Sequence, residues 1–130
     1  MSPVTVCTLG ASVGTPIELI EAAHTAGWSV VSSNPNLNHH SSGSPIAGSD
    51  SPVAHVLTVW DWLIETLDTP RIVVAAHSQG GAIAFELVQQ RQADVTQHCV
   101  AMAFADSVHT DNKKSSEPAA HFLATRVVNW

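Results

Sequence analysis

The stretch that decides the fold is residues 72–87, which read IVVAAHSQGGAIAFEL. Its first five residues form an unbroken apolar and partly β-branched run, which is typical of a strand buried on both faces of a parallel sheet. The run breaks at Ser78, passes through two glycines and resumes with good helix formers. The stretch therefore predicts a strand, a tight turn with Ser78 at its apex, and a helix.

Such a turn holds one hydroxyl clear of the sheet, in a strained backbone conformation that small neighbours allow. The usual pattern has glycine two residues before and two after the serine, where this chain has Ala76 and Gly80. The backbone N–H groups of Gln79 and Gly80, at the helix N-terminus, would face an oxyanion formed beside Ser78. The pattern indicates a nucleophilic serine; the alternative is a glycine-rich strand–helix junction in another α/β domain.

The rest of the chain alternates between strand and helix patterns. Strands are predicted over residues 4–9, 28–31 and 99–105, and an incomplete one from residue 127. Helices are predicted from a Thr15-Pro16 cap to Gly27, over 52–67, from Gly80 to about Arg91, and over 117–126. This alternation predicts one α/β domain over 1–130, a three-layer α/β/α sandwich with a mostly parallel sheet.

Two of the predicted helices carry apolar stripes. Ile17, Leu19 and Ile20 share one side of the first. The second has apolar residues at three- and four-residue spacings from Val53 to Leu67, including a tryptophan at 60 that is predicted to pack in the core. Between these helices, residues 32–51 are rich in Asn, Ser, Pro and His without periodicity, which predicts a long functional or mobile loop. The adjacent histidines 39 and 40 in this loop are weak evidence for a metal, so no metal site is predicted.

Composition narrows the function classes. The formal charge is −6, and the only pair of adjacent basic residues is Lys113-Lys114, which argues against a direct nucleic-acid surface. Neither a signal peptide nor an apolar run long enough for a membrane span is present in the sequence, and no cofactor motif is found, so an intracellular protein is expected.

The cysteines are expected to be reduced. Strand 4–9 is predicted beside strand 72–76, with strand 99–105 on its other side. Cys7 and Cys99 would then lie two strand spacings apart, about 10 Å, beyond the ~7 Å limit for a disulfide.

Side chains just past the carboxyl ends of parallel strands converge on one crevice. Ser78 and Asp106 both occupy such positions, and His109 follows three residues after Asp106. A serine nucleophile needs a base, and the base needs an orienting acid. We therefore predict Asp106 as the acid and His109 as the base, although only one short turn separates them. His77 adjoins the serine on the opposite side of the turn and is predicted to be structural; His121 is the other histidine after Asp106.

Several blocks of sequence resemble the Argonaute-binding-protein-2-type domains, a branch of the α/β-hydrolase superfamily, and in particular the family-with-sequence-similarity-172 cotranscriptional regulators. The blocks are residues 34–36 (NPN), 48–52 (GSDSP), 59–61 (VWD), 74–81 (VAAHSQGG), 105–109 (ADSVH) and 129–130 (NW), and the resemblance covers about 15–130. It implies an intracellular, nuclear or cytoplasmic, hydrolase-like domain. It also implies protein partners in RNA silencing, heterochromatin or splicing control.

Two departures from that family matter. Its members carry an upstream His-Gly strand and loop that residues 4–10 do not match, and they continue past Asn129 into a further strand and a later histidine. The resemblance therefore implies an alternative to His109 as the base, namely that later histidine, which this sequence does not contain. A hydrolase core truncated at both ends is therefore expected, with exposed apolar edges that favour self-association. Two functions follow: an interaction module with a vestigial serine turn, or an active serine ester hydrolase using Ser78.

Overall fold

The computed structural model describes residues 4–9 as backbone, and residues 17–68, 70–107 and 115–129 in full. Five strands and five helices occur in these ranges, in the order β1 (Val4–Leu9), α1 (Ile17–Thr25), β2 (Ser29–Ser33), α2 (Pro52–Thr66), β3 (Arg71–His77), α3 (Gln79–Gln90), α4 (Gln92–His98), β4 (Cys99–Ala105), α5 (Glu117–Arg126) and β5 (Val127–Asn129). Each predicted element is present. Helix α4 was not predicted, because only Val95 of its seven residues is buried and its sequence carries no apolar periodicity. None of the described helices is long and apolar enough to span a membrane.

The five strands form one parallel sheet in the order β2-β1-β3-β4-β5. The predicted placement of β1 and β4 on either side of β3 is therefore confirmed. Cys7 lies opposite Val74, and Cys99 lies opposite Ile72, so the two cysteines stand on strands that β3 separates. The connection from β1 to β2 leads toward one edge of the sheet, and each later connection leads toward the other edge. Right-handed crossovers consequently place α1 on one face and α2 to α5 on the other, which gives the predicted three layers.

Local sequence sets the helix ends. Ser51 caps α2 by accepting a hydrogen bond from the backbone N–H of Ala54 (3.2 Å), and Pro52 takes the first helical position. Ser116 caps α5 in the same way, through the N–H of Ala119 (3.4 Å). These caps explain why both boundaries were predictable from sequence.

Helix α1 ends at Thr25, and the predicted stop signal, Gly27, follows two residues later with a φ of +78°. The N–H of Gly27 donates to the carbonyl of His24, and the N–H of Trp28 donates to that of Ala23, both at 2.9 Å. This is a Schellman motif, in which the left-handed residue is glycine because a Cβ is disfavoured there. The glycine fixes where β2 begins.

The main core lies between the sheet and helices α2 to α5. On β3 the residues at 72, 74 and 76 are buried and the two between them are only half-buried, so the expectation of burial on both faces is wrong for this strand. The buried face packs against Val56, Trp60 and Leu63 of α2, and α3 contributes a further apolar side. The tryptophan at 60 is 2% exposed, which confirms its predicted packing role.

The opposite face is covered more thinly. Of α1, only Ala23 is buried, and Ile17 and Leu19 are 53% and 45% exposed, so the predicted apolar side of this helix has little to pack against in the described part of the chain. Ala23 also stands outside the main core cluster. The two faces of one sheet are thus packed to different degrees.

The long loop of residues 34–51 is folded on itself. The amide of Asn38 donates to the carbonyls of Pro35 (2.9 Å) and Ser49 (2.8 Å), and the hydroxyl of Thr58 on α2 donates to the carbonyl of Gly48 (2.7 Å). An antiparallel bridge also joins residues 39 and 45. The sequence showed no periodicity here because side-chain hydrogen bonds, which follow no repeat, organise the loop.

An ion pair ties the helix layer together at its outer surface. The guanidinium of Arg91, at the α3–α4 junction, donates to both oxygens of Asp61 on α2, through Nε (2.7 Å) and Nη2 (2.8 Å). These hydrogen bonds, reinforced by the charge of Arg91, hold the pKa of Asp61 below its usual value against a smaller opposing effect of burial. The two-point geometry is the one in which arginine pairs most specifically with a carboxylate.

Candidate functional site

The turn between β3 and α3 has the predicted form. Ser78 has φ of +51° and ψ of −119°, in the region that residues with a side chain rarely adopt. Its N–H donates to the carbonyl of Ala105 at the end of β4 (2.9 Å), and its own carbonyl accepts from the N–H of Gly81 (3.1 Å). The strained conformation is therefore fixed on both sides, by the sheet and by the first turn of the helix.

A comparison among the N-cap serines shows that Ser78 does not cap its helix. Ser51 and Ser116 have extended backbones, and their hydroxyls accept from an N–H of the first turn. Ser78 occupies the same position on α3, yet its side chain makes no capping hydrogen bond. A capping bond usually stabilises a helix by about 1 kcal/mol. Its absence, with a positive φ, means that the helix end does not use the Ser78 hydroxyl.

The first turn of α3 supplies free backbone donors beside this hydroxyl. Gln79 is exposed and Gly80 is buried, and both occupy positions whose N–H groups have no intrahelical acceptor. Their assignment as oxyanion donors remains a prediction that fits this placement. The loop after β1, which could supply a further donor, lies in residues 10–16, outside the described residues.

Strand β4 ends next to Ser78 with a second strained residue. His77 pairs with Ala105, so Ser78 and Asp106 follow register partners at neighbouring strand ends. Asp106 is exposed and has φ of +50°; it and Ser78 are the only described non-glycine residues with a positive φ. The predicted juxtaposition of serine and acid at one edge of the sheet is thus present in the backbone.

The base predicted for this site, His109, lies outside the described residues. His77 is described, and its odd position on β3 places it on the face away from Ile72, Val74 and Ala76. Among the described residues, no hydrogen bond reaches the Ser78 hydroxyl or the Asp106 carboxylate. The described part therefore brings together a hydroxyl, a carboxylate and a helix N-terminus, and the roles assigned to Ser78, Asp106 and His109 remain predictions.

Gly81 has a packing role that sequence reasoning missed. A Cβ built on this residue would lie 2.0 Å from the Oγ and 2.6 Å from the Cβ of Ser107. Only glycine lets the chain after β4 approach α3 so closely, and this approach brings the two strand ends together. The doubled glycine in the SQGG sequence was the signal, since a turn needs only the first.

A serine–histidine contact also occurs away from this site. The Ser49 hydroxyl lies 2.8 Å from Nδ1 of His55, and it donates to the carbonyl of Leu37 (3.0 Å). Because its single proton is used on the carbonyl, Ser49 accepts from Nδ1–H of the imidazole. Ser49 is also only 6% exposed, so this pair fastens the 34–51 loop to α2 and is not a catalytic dyad.

Metal ligands do not converge in the part of the chain that the structure describes, where no group of three or more His, Cys, Asp or Glu side chains is found. The adjacent histidines 39 and 40 are both exposed on the loop.

Comparison with known sequences identifies relatives among cotranscriptional regulators. The chain is 36% identical over 87 residues to the cotranscriptional regulator ARB2A homolog of Dictyostelium discoideum, covering 65% of this chain and 23% of that protein. It is 33% identical over 86 residues to human cotranscriptional regulator ARB2A, covering 65% and 21%. The chain thus spans less than a quarter of the length of these relatives.

Comparison with solved structures supports the fold. An acetyl xylan esterase, solved as an iodinated complex, matches 99% of this chain and 81% of its own, with a TM-score of 0.66 at 14% identity. A histone deacetylase from Saccharomyces cerevisiae matches 98% of this chain and 62% of its own, with a TM-score of 0.59 at 8% identity. At these identities the likeness concerns the α/β-hydrolase fold alone.

The family comparison covers nearly the whole chain. The Arb2 domain matches residues 4–130, which include the Ser78 turn, the 34–51 loop and the end of β4. The chain therefore belongs to the Arb2 domain family, with an α/β-hydrolase-like fold.

Proposed function

We propose that this Arb2 domain is a protein-interaction module in RNA silencing, heterochromatin or splicing control, with a serine turn kept from a hydrolase ancestor. The observation that carries the proposal is the family match over 4–130 together with relatives named as cotranscriptional regulators. A regulator of transcripts works inside the cell, so the proposal includes a nuclear or cytoplasmic location. Its partners are proteins, since a formal charge of −6 disfavours direct contact with nucleic acid.

A serine ester hydrolase is the second candidate. The positive φ of Ser78 and its unused capping position favour it, because strain of this kind concentrates at functional sites. In that enzyme Ser78 would be the nucleophile, Asp106 the acid and His109 the base, with Gln79 and Gly80 stabilising the oxyanion. The chemistry needs His109, which follows Asp106 by only three residues in the sequence, to reach the turn after the neighbouring strand, and this short spacing favours the interaction module.

Labelling with a fluorophosphonate probe tests the chemistry. We expect the purified chain to label no faster than Ser78→Ala, with Ser41→Ala, which removes an exposed loop serine, as a matched control. A working triad speeds the serine by a factor on the order of a thousand or more. Rapid labelling that disappears in both Ser78→Ala and His109→Ala would make the domain an enzyme.

Tethering the chain to a reporter transcript in cells tests the regulatory role. The wild type and Ser78→Ala should change the reporter level equally, because the proposal does not use the hydroxyl. Leu63→Ala, which opens a cavity in the core, should lose the effect along with the fold. A reporter that responds to neither the wild type nor Ser78→Ala would refute the interaction module, and loss in Ser78→Ala alone would favour the hydrolase.

A further inference from the structure

The outer face of α2 carries a tryptophan where helical spacing calls for a polar residue. The core side of this helix holds Val56, Trp60 and Leu63. Positions 58, 62 and 65, spaced four and three apart, share the opposite face. Trp62 lies in the middle of that face and is 53% exposed. Trp62 therefore falls outside the apolar stripe that builds the core, and packing in the described fold does not account for it.

A carboxylate lies beside this tryptophan. Glu65 follows it by three residues, so the two side chains are neighbours on the helix surface, and Glu65 is exposed. Asp68, just after the end of the helix, is also exposed. The nearby guanidinium of Arg91 is held by both oxygens of Asp61, so this cation is already paired. The exposed helix-surface neighbour of Trp62 is consequently the acidic side chain of Glu65.

The indole ring of Trp62 has no cation of the described chain over it. The cation–π contact that the described residues make is elsewhere, between Arg126 and the ring of Phe122, at 5.6 Å. An exposed tryptophan beside a carboxylate is the arrangement that attracts a guanidinium or ammonium group, since the ring face and the carboxylate are both negative.

The helix that presents Trp62 is held in place at several points. Thr58, one turn before it, donates to the carbonyl of Gly48 in the folded loop (2.7 Å), and Asp61 is tied to Arg91. A surface that is ordered before binding loses less conformational entropy when a partner docks. Tryptophan is also among the residues that contribute most binding energy at protein interfaces.

We propose that Trp62 and Glu65 form a docking surface for a protein segment that presents an arginine or lysine side chain. The cation lies over the indole ring, and its charge faces the Glu65 carboxylate. This inference rests on the proposed interaction function and specifies the chemistry of the partner. Charge complementarity selects this occupant over a second copy of the chain, because two copies meeting here would bring acidic residues together.

Fluorescence anisotropy with a labelled peptide of alternating arginine and serine tests the docking surface. The peptide should bind at low salt, and a peptide of alternating glutamate and serine should not. Trp62→Ala and Trp62→Leu should each weaken binding about two- to fivefold, since leucine keeps apolar area without an aromatic face. Glu65→Gln should weaken it by a smaller factor that disappears as salt is raised.

Matched controls lie on the other side of the sheet. Trp28→Ala removes a tryptophan that is 37% exposed, and Glu21→Gln removes an exposed carboxylate of α1; both should bind like the wild type. All variants change exposed residues, and their melting temperatures should match that of the parent. Unchanged binding by Trp62→Leu, equal losses in Trp28→Ala, no binding of the arginine peptide, or a dimer that Trp62→Ala dissociates would each overturn the docking surface.

The reporter assay separates this inference from the function on which it rests. A reporter that responds equally to the wild type and Trp62→Ala, without peptide binding, refutes the docking surface and leaves the interaction module standing. A reporter that does not respond to the wild type refutes the interaction module itself.

Discussion

The two faces of the sheet differ in how completely they are packed. Toward α2 to α5, the strands present Ile72, Val74, Met102 and Phe104, each no more than 1% exposed. The face toward α1 presents smaller apolar side chains that are only half-buried, Val73 and Ala75 on β3 and Ala101 and Ala103 on β4, and Val128 on β5 is 62% exposed. The residues of the strands alternate between the two faces, and they thus form a dense core on one face and a thinner layer on the other.

The difference shows where the stability of this domain is concentrated. Burial of apolar area is the main favourable contribution to folding, so the face that buries large side chains stabilises the fold most. The site also depends on that face, because α3 carries the Ser78 turn and packs on β3. The thinner face and the open edge at β5 are consistent with self-association, which remains a prediction.

The largest expected effect is a difference in stability between two leucine substitutions, one on each side of the sheet. Leu63 of α2 is 1% exposed and Leu19 of α1 is 45% exposed. Leu63→Ala should destabilise the domain by about 3–5 kcal/mol, because it removes buried methyl groups and leaves a cavity. Leu19→Ala should change stability by less than about 0.5 kcal/mol. Chemical denaturation measures both, and equal losses would show that α1 covers a core as dense as that under α2.

A smaller effect is expected where the packed face meets the candidate site. Gly81→Ala should cost about 1–3 kcal/mol, since its Cβ would overlap the Ser107 side chain and one of the two chains must shift. Ser107→Gly in the same chain should recover most of that loss by removing the overlapping atoms. Thermal denaturation of the single and double variants gives the coupling free energy between positions 81 and 107. If Ser107→Gly recovers nothing, the close approach of α3 to the end of β4 is not the reason for glycine.

The smallest expected effect concerns the ion pair on the outside of the packed layer. Arg91 lowers the pKa of Asp61 in the folded state, so this pair stabilises the fold above the ordinary carboxyl pKa. The contribution should be lost as pH falls through the lowered pKa and the carboxylate is protonated. Both side chains are about one-third exposed or more, so a double-mutant cycle should give only about 0.2–1 kcal/mol at neutral pH.

That cycle uses Asp61→Asn and Arg91→Gln, measured at neutral pH and in strong acid. The coupling should vanish in acid. A coupling that persists there would mean that the two side chains interact through packing and not through charge.

The sequence contained most of the fold because the elements carry strong local signals. Proline and serine marked the start of α2, Gly27 marked the end of α1, and the run before Ser78 marked β3. The serine turn was predictable for the same reason, since a strand, a small polar residue and glycines admit few other backbone paths. Helix α4 and the hydrogen bonds of the 34–51 loop were not predictable, because polar side chains there act through partners distant in sequence.

The sequence by itself determined the order of strands and helices, the Ser78 turn and the family, because these depend on residues close together along the chain. Only the tertiary structure decided which sheet face is densely packed, that Gly81 accommodates Ser107, and that Trp62 lies outside the core. These outcomes depend on which side chains meet across 25 or more positions, as Gly81 and Ser107 do. The periodicity of a sequence indicates which residues share one side of a helix or strand. Only tertiary packing decides which other residues that side contacts.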